Sequence, residues 1–246
     1  MASRTQDNLS RAISSKAILL PSRCARGGLS PSMTRRALRS VRSIHRRSAV
    51  RRSPFARLYR RPCVVIASGP SLTAEDVDYC RGRASVIVVN DNYRLAPWAD
   101  LLYAADEQWW KAHQGATSFA GARVTQDAGA ARQWRLTYIK SQRGQGFSTS
   151  WECIHRGDNS GFQALNIAVL AECAPIVLLG FDMRMKGAQR HWFGDHPGAL
   201  NVASPYHTFA AAFDDAARMA PHVPIFNASR DTALECFPKR DLRSLI

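Results

Sequence analysis

Short apolar runs alternate with helix-like patterns from residue 62 to the C-terminus, and this alternation constrains the fold more than any other feature. Runs such as CVVIAS, SVIVVN and PIVLLGFDM have the length and the β-branched content of buried strands. Helix signals lie between them, for example Thr73 as an N-cap and Pro205 at a first helical position after Ser204. Such alternation predicts an α/β, Rossmann-like fold with a mostly parallel sheet and helices on both faces.

The middle of this domain is predicted from weaker patterns. Residues 119–140 contain two strand-like runs separated by a short helix pattern. The polar segment 141–157 is expected to be a loop long enough to act as a lid, and 183–201 a second long loop. Between them, 159–174 is apolar on nearly all sides, which predicts a buried helix.

The positive charge of the chain is concentrated at its start. The formal net charge is +15, and residues 1–61 hold sixteen Lys and Arg residues against one acidic residue, Asp7. The remainder has eighteen residues of each sign, so it is neutral. We therefore divide the chain into a basic leader, 1–60, which this composition predicts to be disordered, and a nucleotide-binding domain, 61–246.

Three interpretations of the leader stay open. Its Arg- and Ser-rich, acid-poor composition is typical of organellar targeting sequences. It could be a basic arm for phosphate backbones, and nucleic acid is expected as a partner only through this segment. It could also be upstream sequence without function, with the true start near Met33.

Apolar runs and cysteines indicate the environment of the domain. No run approaches the roughly 18 apolar residues of a membrane-spanning helix, so we expect no transmembrane segment. The six cysteines are scattered and form no CxxC pair. This spacing disfavours a disulfide framework and a zinc ribbon, and favours a reducing compartment such as the cytoplasm.

Polar residues gather where the predicted strands end. In parallel sheets ligands bind beyond the carboxyl ends of the strands. This rule selects the following residues and ranges: Ser68–Leu72, Asn90–Asn92, Asp106, Asp182–Arg184 and Asn227–Arg230.

Two of the turns predict contacts to an anionic ligand. Ser68, Gly69, Pro70 and Ser71 join a strand to a helix, where glycine allows close backbone approach and free N–H groups attract phosphate. The segment Asn159–Ser160–Gly161 opens the buried helix in the same manner. The alternatives are an ordinary turn and simple helix capping. Neither the P-loop nor the dinucleotide fingerprint is present.

Histidines lie in the segment HWFGDH after the strand that ends at Asp182. His191 or His196 could act as a general base, with Asp195 or Asp182 holding its tautomer. The alternatives are a metal site, although this histidine spacing is not typical of zinc, and a solvated loop. Trp109 and Trp110 are expected in the core.

The order of these motifs resembles one enzyme family. The series VVIASGPSL, VVNDNY, NSGFQALNIAVLAECAPIVLLGFDM, HWFGDH and VPIFNAS is similar to the bacterial sialyltransferases of glycosyltransferase family 42. It also resembles proteins of related fold, namely phage-encoded proteins and 6-hydroxymethylpterin pyrophosphokinase-like proteins. The resemblance covers about residues 62–240.

The resemblance implies a role for several residues. Ser68, Gly69 and Ser71 would face the phosphate and sugar of a CMP-sugar donor, and Asn90 would contact the donor. Ser160 and Gly161 would hold the cytidine, and His196 would be the general base. No cofactor is implied, and the acceptor would be a glycan or a small molecule.

The chain departs from the family at three positions. Ser68 replaces an asparagine of the glycine loop, Arg184 replaces a tyrosine that contacts the leaving phosphate, and Asp195 is an extra residue between the histidines. Arginine can supply a phosphate contact electrostatically. Donor identity, and the choice between His191 and His196 as base, are not fixed by the resemblance.

Three functional hypotheses follow. The first is an inverting, metal-independent glycosyltransferase that uses a nucleotide-sugar. The second is a Mg²⁺-dependent phosphotransferase or pyrophosphotransferase of the pterin-kinase type, with Asp106 and Asp182 as the available carboxylates. The third is a non-catalytic binding or phage-morphogenesis protein that keeps only the fold.

Overall fold

The computed structural model describes residues 54–196, 200 and 205–246. Nearly all of the predicted leader, and the predicted cap Ser204, lie outside these residues. Residues 54–60, which the sequence boundary assigns to the leader, pack on the domain. Phe55 and Leu58 are buried in its core, and Ser85 Oγ donates a hydrogen bond to the carbonyl of Arg57 at 2.8 Å.

The apolar runs form a seven-stranded parallel sheet, as predicted. Its members in chain order are β1 Cys63–Ile66, β2 Ser85–Val89, β3 Leu101–Tyr103, β4 Ala122–Thr125, β5 Thr137–Tyr138, β8 Ile176–Leu179 and β9 Ile225–Asn227. Every residue of β1, β2 and β8 is buried, which explains why these strands are apolar apart from Ser85 at the start of β2.

The order of the strands is β5-β4-β3-β2-β1-β8-β9. In the register of the two central pairs, Val65 lies opposite Ile87 of β2 and Leu178 of β8. The chain first adds strands on one side of β1 and later returns to the other side. A topological switch point therefore lies between β1 and β8, where ligands bind in open α/β sheets.

Five α-helices accompany the sheet in the described part of the chain: α1 Ala74–Tyr79, α2 Glu107–Ala112, α3 Ala128–Trp134, α4 Ser160–Leu170 and α5 Tyr206–Met219. Short 3₁₀ turns cover Asn90–Arg94, Gln114–Ala116 and Leu242–Ser244.

Two apolar cores lie on the two faces of the sheet. One contains Phe162 and Leu165 of α4 together with Phe213 of α5. The other contains Val77 of α1 and the tryptophans of α2. The helices thus cover both faces, which gives the Rossmann-like α/β arrangement expected from the sequence.

The structure differs from the sequence predictions in two places. The segment 141–157 is not only a loop, because Ser141–Gln142 (β6) and Ile154–His155 (β7) pair as a small parallel sheet. Helix α5 follows Pro205 as its cap residue, and no side chain caps it. Strands of two residues in a polar segment leave no periodic pattern from which they could be predicted.

The described residues also bear on the predicted environment. No helix among them combines the length and the apolar character needed to cross a bilayer. The five cysteines that they include are free, and four of these are buried.

Candidate functional site

A cleft of about 280 Å³ opens at the carboxyl edge of the sheet, beside the switch point. Its wall combines the turns after β1, β2, β3 and β8 with the first turn of α4 and with residues 190–196, here called the histidine loop. Many residues predicted from the strand ends, from the start of the buried helix and from the HWFGDH segment line it: Ser68, Gly69, Asn90, Asp106, Asn159, Ser160, Gly161, Asp182, Arg184, His191 and His196. Segments that are distant in sequence therefore share one cleft.

The turn after β1 is held against the turn after β8. Gly69 N–H donates to the carbonyl of Gly180 at 2.8 Å. A Cβ atom at Gly69 would overlap the carboxylate of Asp182 and this carbonyl, so the close approach of the two turns requires glycine. The glycine loop thus keeps its backbone at the switch point.

Ser71 and Asp182 stabilise this turn. The backbone N–H and the hydroxyl of Ser71 donate to the two carboxylate oxygens of Asp182 at 2.7 and 2.8 Å. Burial raises the pKa of the Asp182 carboxyl, while the hydrogen bonds from Ser71 oppose the shift. Asp182 lines the cleft, but Ser71 and Pro70 do not, and the Ser71 side chain is engaged within the scaffold.

Asn90 and Asn92 have different positions. Asn90 adopts a left-handed backbone with φ of 52° and lines the cleft. Asn92 is completely buried, and its Nδ2 donates to Ser68 Oγ at 3.0 Å and to the carbonyl of Ile66 at 3.1 Å. Its Oδ1 accepts from Trp192 Nε1 at 2.8 Å. Asn92 therefore connects β1 to the histidine loop, and it does not line the cleft.

The first turn of α4 presents backbone donors to the cleft. Asn159 caps the helix by accepting a hydrogen bond from Phe162 N–H at 3.0 Å, which is the capping role that the sequence offered as the alternative to a ligand contact. Ser160 and Gly161 line the cleft next to this cap. Because the first N–H groups of a helix have no partner within the helix, this end of α4 can bind an anion or a polar group.

The histidine loop is tied to the turn after β1, since Trp192 N–H donates to the carbonyl of Ser68 at 3.1 Å. Within the loop, His191 stacks on Phe193 with a centroid distance of 5.1 Å and lies edge-on to His196 at 5.0 Å. These contacts place both imidazoles at the cleft.

The sequence predicted Asp195 or Asp182 as the carboxylate beside the histidines, but both carboxylates have other partners. Asp195 forms an ion pair with Arg190 at 2.9 Å and is half exposed, and Asp182 binds Ser71. Instead, Asp91 Oδ2 lies 3.6 Å from His196 Nδ1. Proximity in the sequence suggested Asp195, but the competing guanidinium engages that carboxylate.

Asp91 is the centre of a buried cluster that sequence reasoning missed. The residue is 4% exposed, and its carboxylate accepts hydrogen bonds from Trp109 Nε1 at 2.9 Å and from His113 Nε2 at 3.1 Å. Asp91 lies two residues after the end of β2, and the spacing of Trp109 and His113 places them on one face of a helix. These signals are present in the sequence, but the cluster forms only in the fold.

The histidines of the site differ in proton affinity. Burial lowers the pKa of His196, and Asp91 opposes this effect. Burial also lowers the pKa of His191, with further contributions from His196 and Arg190. For His113 burial is again the largest single effect and acts in the same direction, but the hydrogen bonds to Asp91 and to the Trp109 carbonyl, together with the charge of Asp91, outweigh it and raise the pKa. His191 and His196 thus favour the neutral form that a general base needs.

Arg184 and Asp106 complete the wall. Arg184 pairs with Asp231 and donates to the carbonyl of Thr232 at 3.2 Å, and its side chain is half exposed. Desolvation at the cleft raises the pKa of the Asp106 carboxyl, and the nearby charge of Asp127 adds to the shift. Trp109 and Trp110 are buried, as expected for core residues.

Comparisons with protein-family models, with curated proteins and with solved structures give no match for this chain. Within residues 54–196, 200 and 205–246, no group of three or more His, Cys, Asp or Glu side chains is arranged to hold a metal ion. A function can therefore be inferred from the cleft itself and from the resemblance of the motifs.

Proposed function

We propose that the chain is a glycosyltransferase-like enzyme that transfers a sugar from a nucleotide donor bound in the cleft. The observation that supports this proposal is the convergence of Gly69, Ser160 and His196 on one cleft at the switch point. Gly69 allows close backbone approach and Ser160 lies among the free N–H groups of a helix start, both of which suit a phosphate. His196 supplies an imidazole.

The donor would lie between the glycine loop and the first turn of α4. The cleft has room for part of a nucleotide, and ligand sites of this kind have volumes from about 300 Å³ upward. Arg184 is the proposed contact for the leaving phosphate, and it would share its guanidinium with Asp231. CMP is the nucleotide implied by the resemblance.

His196 would act as the general base. With Nδ1 turned toward Asp91, its Nε2 is the nitrogen available to an acceptor hydroxyl. Nε2 takes the hydroxyl proton as the acceptor oxygen forms a bond to the anomeric carbon. The bond from that carbon to the phosphate oxygen breaks, and the nucleotide leaves with the electron pair, which inverts the anomeric centre. A neutral imidazole is required, so turnover should fall as pH drops through the His196 pKa.

Thermal unfolding of the full chain tests the binding part of this proposal. CMP, UMP, AMP and GMP would each be added with and without Mg²⁺. A ligand at one hundred times its Kd stabilises a protein by about 2.7 kcal/mol, which is readily detected. We expect at least one nucleotide to raise Tm without Mg²⁺, and Gly69→Ala to abolish the increase. No increase with any nucleotide would contradict the proposal.

A second candidate is Mg²⁺-dependent phosphoryl transfer. The observation in its favour is that Asp106, an exposed residue, places its carboxylate on the cleft wall. This chemistry needs several carboxylates around the metal ion. The other available carboxylate, Asp182, is engaged by Ser71. Transfer activity that survives EDTA would support glycosyl transfer, whereas loss of activity in EDTA would support the second candidate. Nucleotide binding without any turnover would favour the non-catalytic hypothesis.

A further inference from the structure

We propose that Asp91 is the positioning residue for His196, and that His113, on the other side of the same carboxylate, controls how much of its negative charge His196 experiences. This inference rests on the proposed role of His196 as general base. It assigns a function to His113, which the sequence did not single out, and to Asp91, which lies within the selected range Asn90–Asn92 but received no role there.

The geometry places one carboxylate between two imidazoles. Asp91 Oδ1 lies 3.1 Å from His113 Nε2, and Asp91 Oδ2 lies 3.6 Å from His196 Nδ1. The Asp91 side chain is 5% exposed and that of His196 is 15% exposed. Because little water separates these groups, their charges interact more strongly than they would at the surface.

The hydrogen bonds of His113 favour its charged form. Its Nδ1 faces the carbonyl of Trp109 at 2.9 Å, and its Nε2 faces the Asp91 carboxylate. Both of these partners only accept hydrogen bonds, so both ring nitrogens must donate, which requires an imidazolium. The ring also stacks on Trp109 at 4.0 Å with an interplanar angle of 16°, which suits a cation. His113 and Asp91 therefore form an ion pair.

Other charged or titratable groups also face this cluster. Arg94 lies 3.7 Å from Asp91, and Tyr93 lies edge-on to His113 at 5.9 Å. On the histidine loop, His191 lies against His196, and Arg190 is paired with Asp195. These groups are present in both variants described next, so they do not by themselves distinguish the two.

The ion pair predicts effects of opposite sign on one ring. Asp91→Asn removes the negative charge beside His196, so His196 should bind a proton less readily. His113→Gln leaves Asp91 charged without its cationic partner, so His196 should bind a proton more readily. A purely structural role would give no such reversal. Loosening the cluster with either substitution would move the His196 pKa in the same direction, toward that of a solvated imidazole.

NMR titration of the His196 ring protons tests this directly in the full chain without any ligand. We expect the His196 pKa to fall in Asp91→Asn and to rise in His113→Gln, with no change in the control His222→Gln, whose ring is exposed. Shifts in the same direction in the two variants, or none, would overturn the inference. Should Asp91→Asn not fold, His113→Lys, which keeps a cation beside Asp91, decides: a His196 pKa near that of the unmodified chain supports the inference, and a rise equal to that in His113→Gln overturns it.

The titration is independent of turnover. If the chain proves to have no transfer activity, the proposed function fails while the coupling of the three residues can still be observed. If it is active, the acidic limb of kcat/KM should move to lower pH in Asp91→Asn and to higher pH in His113→Gln.

Discussion

Two buried aspartates, Asp91 and Asp76, bind basic side chains at two different sites of the domain. Asp91 is 4% exposed and contacts the imidazoles of His113 and His196 beside the cleft. Asp76 is 3% exposed and binds Arg230 through two hydrogen bonds of 2.5 and 2.9 Å. The carboxylates are alike, but guanidinium keeps its charge at all relevant pH values, whereas imidazole changes charge near neutrality.

The difference separates a structural ion pair from one suited to proton transfer. Asp76 opens α1, where its N–H donates to the predicted cap Thr73 at 3.2 Å, while its carboxylate binds the segment after β9. Asp91 instead binds groups that gain or lose a proton. Replacing Arg230 beside Asp76 should therefore affect stability. Replacing His196 beside Asp91 should affect turnover.

The largest expected effect is on turnover. His196→Ala should lower kcat by about 100- to 10,000-fold, because it removes the general base. Arg230→Ala, the matched change at the other aspartate, should leave kcat within about twofold. Steady-state kinetics with the active donor measures both. Equal losses in the two variants would show that the comparison is wrong.

The next effect is on stability. Arg230→Ala should lower the free energy of unfolding by about 1–3 kcal/mol, since it leaves a buried carboxylate with fewer hydrogen bonds. Arg218 offers a control, because it pairs with Asp215 at the surface, with its side chain 76% exposed. Arg218→Ala should change the same quantity by less than about 0.5 kcal/mol in urea unfolding.

The pH dependence of stability should differ between the two aspartates. The pKa of His113 in the folded chain is raised. The stability that His113 contributes is therefore fully present below the ordinary pKa of 6.5, and it is lost as pH rises through the folded pKa. For Asp76, burial is the largest single effect and raises the pKa, but the hydrogen bonds from Arg230 and Thr73 and the charges of Arg230 and Arg243 together outweigh it, so the folded pKa is lowered. Its contribution is present above 3.8 and is lost as pH falls through the folded pKa.

Urea unfolding at several pH values checks this difference. The destabilisation caused by His113→Gln should shrink from pH 6 to pH 9, while that caused by Arg230→Ala should persist at pH 9 and shrink in acid. Parallel pH profiles for the two variants would contradict the assignment of partners.

The smallest effect concerns the second guanidinium at Asp76. Arg243 lies 3.8 Å from Asp76 and 2.7 Å from Glu75, and its side chain is 45% exposed. Arg243→Ala should cost less than about 1 kcal/mol, because the pair is partly solvated. The cost should nearly vanish in 1 M salt, where screening acts over about 3 Å. A loss as large as that of Arg230→Ala would mean that both arginines are structural partners.

The sequence predicted the sheet and the edge where the cleft lies, because buried parallel strands are uniformly apolar and end in polar residues. Gly69 could be selected in this way, and Asn159 and Ser160 could be selected as the start of a buried helix, since these signals are local. The paired strands β6 and β7 were not predicted, because two-residue strands have no periodicity.

The partners of the site residues could not be predicted from the sequence. Asp91, His113 and His196 come from three separate segments, and only the fold brings them together. Asn92 and Ser71 have the polar character of ligand contacts, but their side chains bind the scaffold instead. A motif gives the residue type at a strand end, whereas the direction of its side chain depends on tertiary packing.

The central claim is that a nucleotide binds between the turn after β1 and the start of α4. Backbone amide NMR during titration with the nucleotide that raises Tm tests it most directly. We expect the largest shifts at Gly69, Ser160 and Gly161, with none at Arg230 and Arg243 beside Asp76. Shifts centred on those arginines, with Gly69 and Ser160 unchanged, would contradict it.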